Sequence, residues 1–219
     1  MQFTFINNST NTPIDKITLN KNATLLLGDG FLPAINLDDE LTGVSNYIKT
    51  LCILSRKNDN LILAGCTIYC GKKTFYGTIV VKNGKFLGIS DMTHCIDANY
   101  DKSNSIRVFE CDNLRIGVVS GDDILFFEVP RLMRLWECDI LVFAVKGNLN
   151  RTHRIMTEAH SITNGVTCIC FGRDRVFVTG TKNCVKRNND IYITTKRDDT
   201  LISNRKPECY LELVKKPSL

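Results

Sequence analysis

The chain has 219 residues and a net charge of +5, and its 43% hydrophobic and 23% charged residues are typical of a globular domain. No run of about 18 apolar residues occurs, and the first residues lack the basic and apolar regions of a secretory signal, so we expect a cytoplasmic protein without a membrane segment. The basic residues form no dense stripe with interleaved aromatic side chains, and we therefore expect no nucleic-acid partner.

Ten cysteines are spread along the chain, most of them inside apolar runs. A zinc site needs clustered pairs of Cys or His ligands, and the pair Cys66 and Cys70 has no second pair beside it. Cys168 and Cys170 would point to one face of a strand. This spacing favours thiols that pack as small hydrophobic side chains, and we predict neither a metal site nor a cofactor.

The first half of the chain predicts a strand, a helix and then further strands. Residues 23–28 form an apolar run that ends in Gly-Asp-Gly, typical of a buried strand and turn. Over 35–59 the spacing is helical, with Asp38 or Asp39 as a candidate cap. The residues that recur at this spacing are Val44, Ile48, Leu51, Cys52 and Ser55. Residues 60–70 have a strand pattern.

Asn83-Gly84 is a strong hairpin signal, and it predicts two strands within 74–89. Two more strands, 105–113 and 114–120, lead into a polar turn. A helix is predicted over 124–136, with Pro130 in its first turn.

The apolar run 138–145 is typical of a strand that is covered on both faces. A helix over 151–165, closed by Asn-Gly, and a strand over 166–172 follow it. The weaker strands 189–196 and 208–214 end the chain. Helices that alternate with apolar strands predict a layered α/β fold.

The order of these motifs resembles the nitrilase, or carbon–nitrogen hydrolase, superfamily. The matching segments are 61–94 (strand, hairpin and a loop that ends in His), 114–143 (strand, turn, Phe-x-Glu, Arg-Leu and strand) and 159–172 (Asn-Gly-Val before a strand). The resemblance implies an α-β-β-α sandwich that pairs as a homodimer. It also implies that residues 1–219 form a single nitrilase-like domain with a shortened N-terminal region.

Enzymes of this family use a Glu–Lys–Cys set, in which the cysteine attacks an amide or nitrile carbon. The glutamate moves protons and the lysine stabilises the tetrahedral intermediate. Carried over residue by residue, the resemblance places Gly121 at the cysteine position, Met92 at the lysine position and Gly30 at the glutamate position. None of these side chains can do the corresponding chemistry, so we expect no intact catalytic set.

Five nearby residues are candidates for other roles in a pocket: Asp29, His94, Ser120, Asp122 and Asp123. Asp29 is one residue away from the glutamate position. Ser120 should face away from the side chain at 121. His94 fits a structural hydrogen bond, and the two aspartates fit caps of the next helix.

Cys95 and Cys111, the cysteines near polar loops, are weaker candidates for a displaced nucleophile. Two functions remain open. The first is a pseudoenzyme that binds a small molecule or a protein. The second is a diverged amide or nitrile hydrolase that uses displaced residues.

Overall fold

The computed structural model describes residues 2–6, 21–180, 184–187 and 190–193. The strands are β1 Gln2–Ile6, β2 Thr24–Leu27, β3 Ile35–Asn36, β4 Leu61–Cys70, β5 Lys73–Lys82, β6 Lys85–Asp91, β7 Val108–Cys111, β8 Leu114–Ser120, β9 Ile140–Ala144, β10 Thr167–Phe171, β11 Val176–Thr179, β12 Cys184–Arg187 and β13 Asp190–Ile193. The helices are α1 Leu37–Thr42, α2 Tyr47–Lys57, α3 Glu128–Leu135 and α4 Arg151–Asn164, with a 3₁₀ helix at Gly121–Leu125.

Two sheets form the centre of the molecule. The larger one has the order β12-β13-β1-β2-β4-β5-β6, with β3 paired to β4, and the smaller one has the order β11-β10-β9-β8-β7. The pairs β1–β2, β2–β4, β8–β9 and β9–β10 are parallel, so their carboxyl ends lie at one edge of each sheet.

Three apolar clusters fill the spaces between the layers. One joins the facing sides of the two sheets, through residues such as Phe3 and Val142. The second packs α2 against the larger sheet through Leu51, and the third packs α3 against the smaller sheet through Met133. The predicted α-β-β-α sandwich is therefore confirmed.

The predicted hairpin at Asn83-Gly84 is confirmed, because both residues have positive φ and join β5 to β6. The predicted helix over 151–165 is confirmed as α4, which Gly165 ends in the left-handed conformation. The segment 208–214 lies outside the described residues, whereas part of 189–196 is present as β13.

The single helix predicted over 35–59 is wrong, since the chain forms α1 and α2 there. Gly43, with φ of +79°, ends α1, and Val44 is exposed between the two helices. The carboxylate of Glu40 accepts hydrogen bonds from the backbone N–H groups of Tyr47 and Ile48, at 2.8 and 3.0 Å, and so completes the start of α2.

The cap of α1 is Asn36, whose side chain accepts a hydrogen bond from the N–H of Asp38. The predicted cap at Asp38 or Asp39 is therefore wrong, because both residues lie inside the first turn. The helix predicted over 124–136 also begins later, at Glu128, because a 3₁₀ helix precedes it.

Serine and threonine hydroxyls join the two sheets inside the molecule. The buried hydroxyl of Ser120 on β8 donates to the backbone oxygen of Ser90 on β6, at 2.7 Å, and bonds to the hydroxyl of Thr78 on β5, at 2.6 Å. The Ser90 hydroxyl donates in return to the backbone oxygen of Val118. These bonds fix the end of β8, and with it the turn that follows, against the larger sheet.

Five cysteines confirm the predicted packing role, because they are buried among apolar side chains: Cys66, Cys111, Cys138, Cys168 and Cys170. Burial raises the pKa of Cys66, Cys138 and Cys170 to about 12 and that of Cys168 well above its usual value.

Arg134 on α3 is fully buried and donates to the carboxyl end of α4. Its Nε donates to the backbone oxygen of Asn164, the last residue of α4, at 3.1 Å, and its guanidinium also reaches the oxygen of Cys138, at 3.4 Å. A cation at the carboxyl end of a helix satisfies free carbonyls and interacts favourably with the helix dipole.

We predict that Arg134→Met lowers the free energy of unfolding by about 2–4 kcal/mol, because it leaves buried carbonyl groups without a charged donor. Urea unfolding followed by circular dichroism measures the change. The control is Arg154→Met, which removes an exposed ion pair with Glu158 and should cost less than about 1 kcal/mol. Equal costs for the two variants would contradict the role given to Arg134.

Candidate functional site

The turn after β8 has the geometry that a nucleophile turn requires. β8 ends at Ser120, and the 3₁₀ helix follows at once from Gly121. The φ of Gly121 is +59°, in the left-handed region that glycine adopts at no steric cost. A sharp strand-to-helix turn of this kind presents the side chain at its corner to a pocket in hydrolases.

The space above Gly121 is filled by other side chains. A Cβ atom at this position would collide with the Sδ atom of Met92 and would lie 3.2 Å from Cδ1 of Tyr76. Met92 is 3% exposed and Tyr76 is 1% exposed, so both are core residues. Two positions that the family resemblance selected, 92 and 121, are thus in contact.

Met92 also contacts the backbone at the start of the 3₁₀ helix, on the side where an anion would accept hydrogen bonds. Its Sδ accepts a hydrogen bond from the backbone N–H of Asp122, at 3.1 Å. That N–H points from the start of a 3₁₀ helix, where backbone donors are otherwise unpaired. A thioether carries no charge, so the hydrogen bond between Met92 and the N–H of Asp122 is weak.

The third position, Gly30, lies just after β2 with φ of +80° and has no side chain to offer. Its neighbour Asp29 is almost buried and is already bonded to two groups: it accepts hydrogen bonds from the N–H of Gly147, at 3.0 Å, and from the guanidinium of Arg173, at 2.9 Å. Asp29 therefore ties the end of β2 to the loops of the smaller sheet.

Tyr76 connects these two parts of the site. Its ring contacts the position above Gly121, and the charge of Asp29 acts on its hydroxyl. Burial above all, and then that charge, raise the pKa of Tyr76 well above its usual value. The phenol is fully buried and fills the interior as an aromatic side chain.

Asp123 and His94 are brought together, in contrast to the predicted use of Asp123 as a helix cap. The carboxylate of Asp123 is 1% exposed and accepts hydrogen bonds from the backbone N–H groups of Thr93 and His94, at 2.8 and 2.7 Å, and from the Thr93 hydroxyl, at 2.8 Å. Nδ1 of His94 lies 2.9 Å from the same carboxylate, and its ring stacks on Phe126. The predicted structural hydrogen bond of His94 is present.

Asp122 is not a cap either, because its carboxylate accepts a hydrogen bond from the N–H of Ile96, at 2.9 Å. Both aspartates therefore bind the loop 93–96, since this loop presents unpaired N–H groups to them. Ser120 lies apart from the histidine, with its hydroxyl bonded between the sheets.

The two cysteines weighed as displaced nucleophiles are poorly suited to that role. Partial burial, and then the charges of Asp122 and Asp97, raise the pKa of Cys95, whose thiol donates to the backbone oxygen of Asp97. Burial raises the pKa of Cys111 to about 11. The thiolate is the reactive form, so both thiols are weak nucleophiles at neutral pH.

The described residues contain neither a metal cluster nor a helix that could span a membrane. No three His, Cys, Asp or Glu side chains among them lie close enough together to hold a metal ion. In the same part of the chain, no helix combines the length and the apolar character needed to cross a membrane.

An open cleft of about 360 Å³ lies beside the filled site, at the carboxyl ends of β4 and β9. Its lining residues are Ala34, Thr67, Tyr69, Thr74, Asp97, Asn99, Tyr100 and Lys146. Nζ of Lys146 lies 3.1 Å from Oδ2 of Asp97 and 4.1 Å from the centre of the Tyr100 ring. The Tyr100 hydroxyl is bonded to Thr67, at 3.1 Å.

This cleft was not predicted from the sequence. One signal was available, because Lys146 directly follows the apolar run 138–145, and ligands of open α/β sheets bind at the carboxyl ends of such strands. The opposing wall, on the loop that contains Asp97 and Tyr100, has no recognisable sequence pattern.

Comparison with known proteins gives structural matches only, since neither a family model nor a curated protein matches the sequence. Nit3 of Saccharomyces cerevisiae, a member of branch 10 of the nitrilase superfamily, is 13% identical with a TM-score of 0.66, over 82% of this chain and 78% of its own. A carbon–nitrogen hydrolase of Helicobacter pylori G27 is 15% identical with a TM-score of 0.67, over 88% and 86%.

An amidase of Nesterenkonia sp. is 12% identical with a TM-score of 0.66, over 97% of this chain and 95% of its own. Similarity this low in sequence and this extensive in structure describes the fold and leaves the activity open. The predicted resemblance is confirmed at that level: this chain has the fold of the nitrilase, or carbon–nitrogen hydrolase, superfamily.

Proposed function

We propose that this protein is a nitrilase-like pseudoenzyme of the cytoplasm, which lacks the Glu–Lys–Cys set and acts by binding. The observation that carries this proposal is the filled space above Gly121. Met92 and Tyr76 occupy the volume where a nucleophile and its substrate would meet, and both are core residues. Loss of a cooperating set removes nearly all of its rate acceleration, because its members act together.

The chemistry of the three positions supports the same proposal. Glycine at 121 has no atom that can attack a carbonyl carbon, methionine at 92 cannot carry positive charge, and glycine at 30 cannot move a proton. The nearby acid, Asp29, is bonded to Arg173 and to the N–H of Gly147. A carboxylate held in this way is positioned for structure rather than for proton transfer.

One observation favours the second candidate, a diverged hydrolase. His94 and Asp123 form a pair with 2.9 Å between Nδ1 and Oδ1, and the His94 side chain is 38% exposed. Such a pair leaves Nε2 of the neutral ring as an acceptor that could activate water. Against it stands the position of Ser120, whose hydroxyl bonds between the sheets and away from this pair.

The homodimer that the resemblance implies is also a proposal, and the surface of α3 and α4 supports it. Phe127, Ile155 and Ile162 are 46%, 51% and 74% exposed there. Ile155 and Ile162 are seven residues apart and so lie on the same side of α4. Exposed apolar side chains on a helix layer are typical of a surface that pairs with another subunit, and the opposite layer also exposes Leu41 and Ile53.

We expect the purified protein to release ammonia from acetamide and acetonitrile no faster than a blank without protein. The assay is repeated with His94→Gln and with the control His153→Gln, since the His153 ring caps the start of α4. Activity that survives purification, persists in His153→Gln and is lost in His94→Gln would overturn the pseudoenzyme proposal and support the diverged hydrolase.

A labelling experiment tests Cys95 as a displaced nucleophile. In the Nesterenkonia amidase, the acetamide moiety of fluoroacetamide is attached to the active site cysteine. We expect Cys95 to react with fluoroacetamide near neutral pH no faster than the exposed thiol of Cys70, because the raised pKa of Cys95 keeps it protonated. Peptide mass spectrometry measures both rates, and selective labelling of Cys95 would contradict the expectation.

The proposed dimer is tested by light scattering after gel filtration. We expect the mass of two chains for the wild type and of one chain for the double variant Ile155→Asp with Ile162→Asp, because buried charges destabilise an apolar interface. The control is Leu41→Asp, on the opposite helix layer, where Leu41 is 85% exposed. A monomeric wild type, or a monomer produced by Leu41→Asp alone, would refute this interface.

A further inference from the structure

The cleft beside the filled site holds a charge pair that the proposed function does not use. We propose that this cleft binds a small α-amino acid, with the ligand carboxylate on Lys146 and the ligand ammonium on Asp97. The inference rests on the proposed function, since it gives the ligand class for binding without turnover. The residues of the proposed amino-acid site lie outside the turn at Gly121.

The charges face the cleft and are accessible. The side chains of Lys146 and Asp97 are 44% and 40% exposed, and both line the cleft. An ammonium has three donors, and a carboxylate has about four acceptor positions. Lys146 uses donors on Asp97 and Tyr100, and Asp97 accepts from Asn99 and Lys146, so each group can take a further partner.

The pair is held in place before any ligand arrives. Lys146 lies over the ring of Tyr100, and the hydroxyl of that ring is fixed by Thr67 on β4. On the other side, the backbone N–H and the side-chain amide of Asn99 both donate to Oδ1 of Asp97, at 3.0 and 2.7 Å. A preorganised site loses less side-chain entropy on binding, which favours small ligands.

The separation of the charges selects the ligand. Nζ of Lys146 and Oδ2 of Asp97 are 3.1 Å apart. In an α-amino acid the ammonium nitrogen and the nearer carboxylate oxygen are also about 3 Å apart, because only two bonds of about 1.5 Å lie between the nitrogen and the carboxyl carbon. An antiparallel alignment therefore places each ligand charge beside its opposite on the protein.

The balance of charge in the cleft disfavours ligands that carry a single charge. A lone anion would be attracted by Lys146 and repelled by Asp97 at almost the same distance, and a lone cation would meet the reverse. Both residues are ionised at neutral pH. Burial lowers the pKa of Lys146, but hydrogen bonds to Tyr100 and Asp97 outweigh it and raise that pKa. The pKa of Asp97 is lowered, mainly by Asn99 and then by Lys146.

The other walls leave room for a short ligand side chain. Ala34 and the ring of Tyr69 provide apolar surface, and Thr74 provides a hydroxyl. Tyr76, which pairs with Thr67 across β4 and β5, is the buried neighbour on the inner side. Neither Gly121 nor Met92 lines the cleft, so the proposed ligand binds outside the filled site.

Calorimetric titration of the full chain with alanine tests the proposal, against three analogues. These are propionate, propylamine and 4-aminobutyrate, which carry only one charge or carry two charges too far apart. We expect saturable binding of alanine at concentrations up to about 10 mM, which detects a Kd of about 1 mM. Each analogue should bind at least about tenfold more weakly, since it loses a hydrogen bond to a charged group.

Variants assign the binding to the cleft. Lys146→Met and Asp97→Asn should each weaken alanine binding by at least about tenfold, whereas Lys85→Met and Asp112→Asn, at residues outside the cleft, should leave it unchanged. Unfolding midpoints confirm that all four variants fold. Propionate binding as tight as alanine, no saturable binding of alanine, or equal loss in the Lys85 variant would overturn the amino-acid site.

This outcome is separable from that of the hydrolysis assay. Ammonia release that depends on His94 would refute the pseudoenzyme proposal. The amino-acid site would still be tested by the effects of Lys146→Met and Asp97→Asn on alanine binding. Failure of alanine to bind, with no ammonia released, would refute the amino-acid site and leave the absence of turnover standing.

Discussion

One buried carboxylate determines the geometry of the whole site. Asp123 lies at the end of the smaller sheet and accepts the backbone and side-chain donors of Thr93 and His94. Because Met92 directly precedes these residues, the same bonds hold its side chain over Gly121. A buried carboxylate must be satisfied by hydrogen bonds, and here the donors come from the loop of the other sheet. The layers of the sandwich are therefore fixed relative to each other where a pocket would otherwise open.

The filled interior and the open cleft lie on the inner and outer sides of the same group of side chains. Tyr76 packs against the turn on its inner side, and the ring of Tyr100 and the chain of Lys146 form the outer wall beyond it. The carboxyl ends of parallel strands still converge on this edge of the molecule, which is where α/β folds bind ligands. The charged side chains at this edge, Lys146 and Asp97, are held in place by hydrogen bonds before any ligand is present. Binding is the role that we propose for them.

Most of the fold could be predicted from the sequence, because local patterns determined its elements. The apolar run of β9, the Asn83-Gly84 turn and the Asn-Gly end of α4 each have a direct local cause. The break between α1 and α2 could not be predicted as easily, since it depends on Gly43 together with a carboxylate that reaches across from Glu40. The roles of Asp122 and Asp123 depend on a loop about thirty residues earlier in the chain, and no local pattern identifies that partner.

The buried thiols have a consequence for the conditions under which this fold persists. A thiol with a pKa of about 12, as at Cys66, Cys138 and Cys170, forms almost no thiolate at neutral pH, and oxidants and disulfides react with the thiolate. Cys168 and Cys170 lie on one strand, yet neither is exposed to a reagent. We therefore expect these buried thiols to react slowly with peroxide and glutathione as long as the protein is folded.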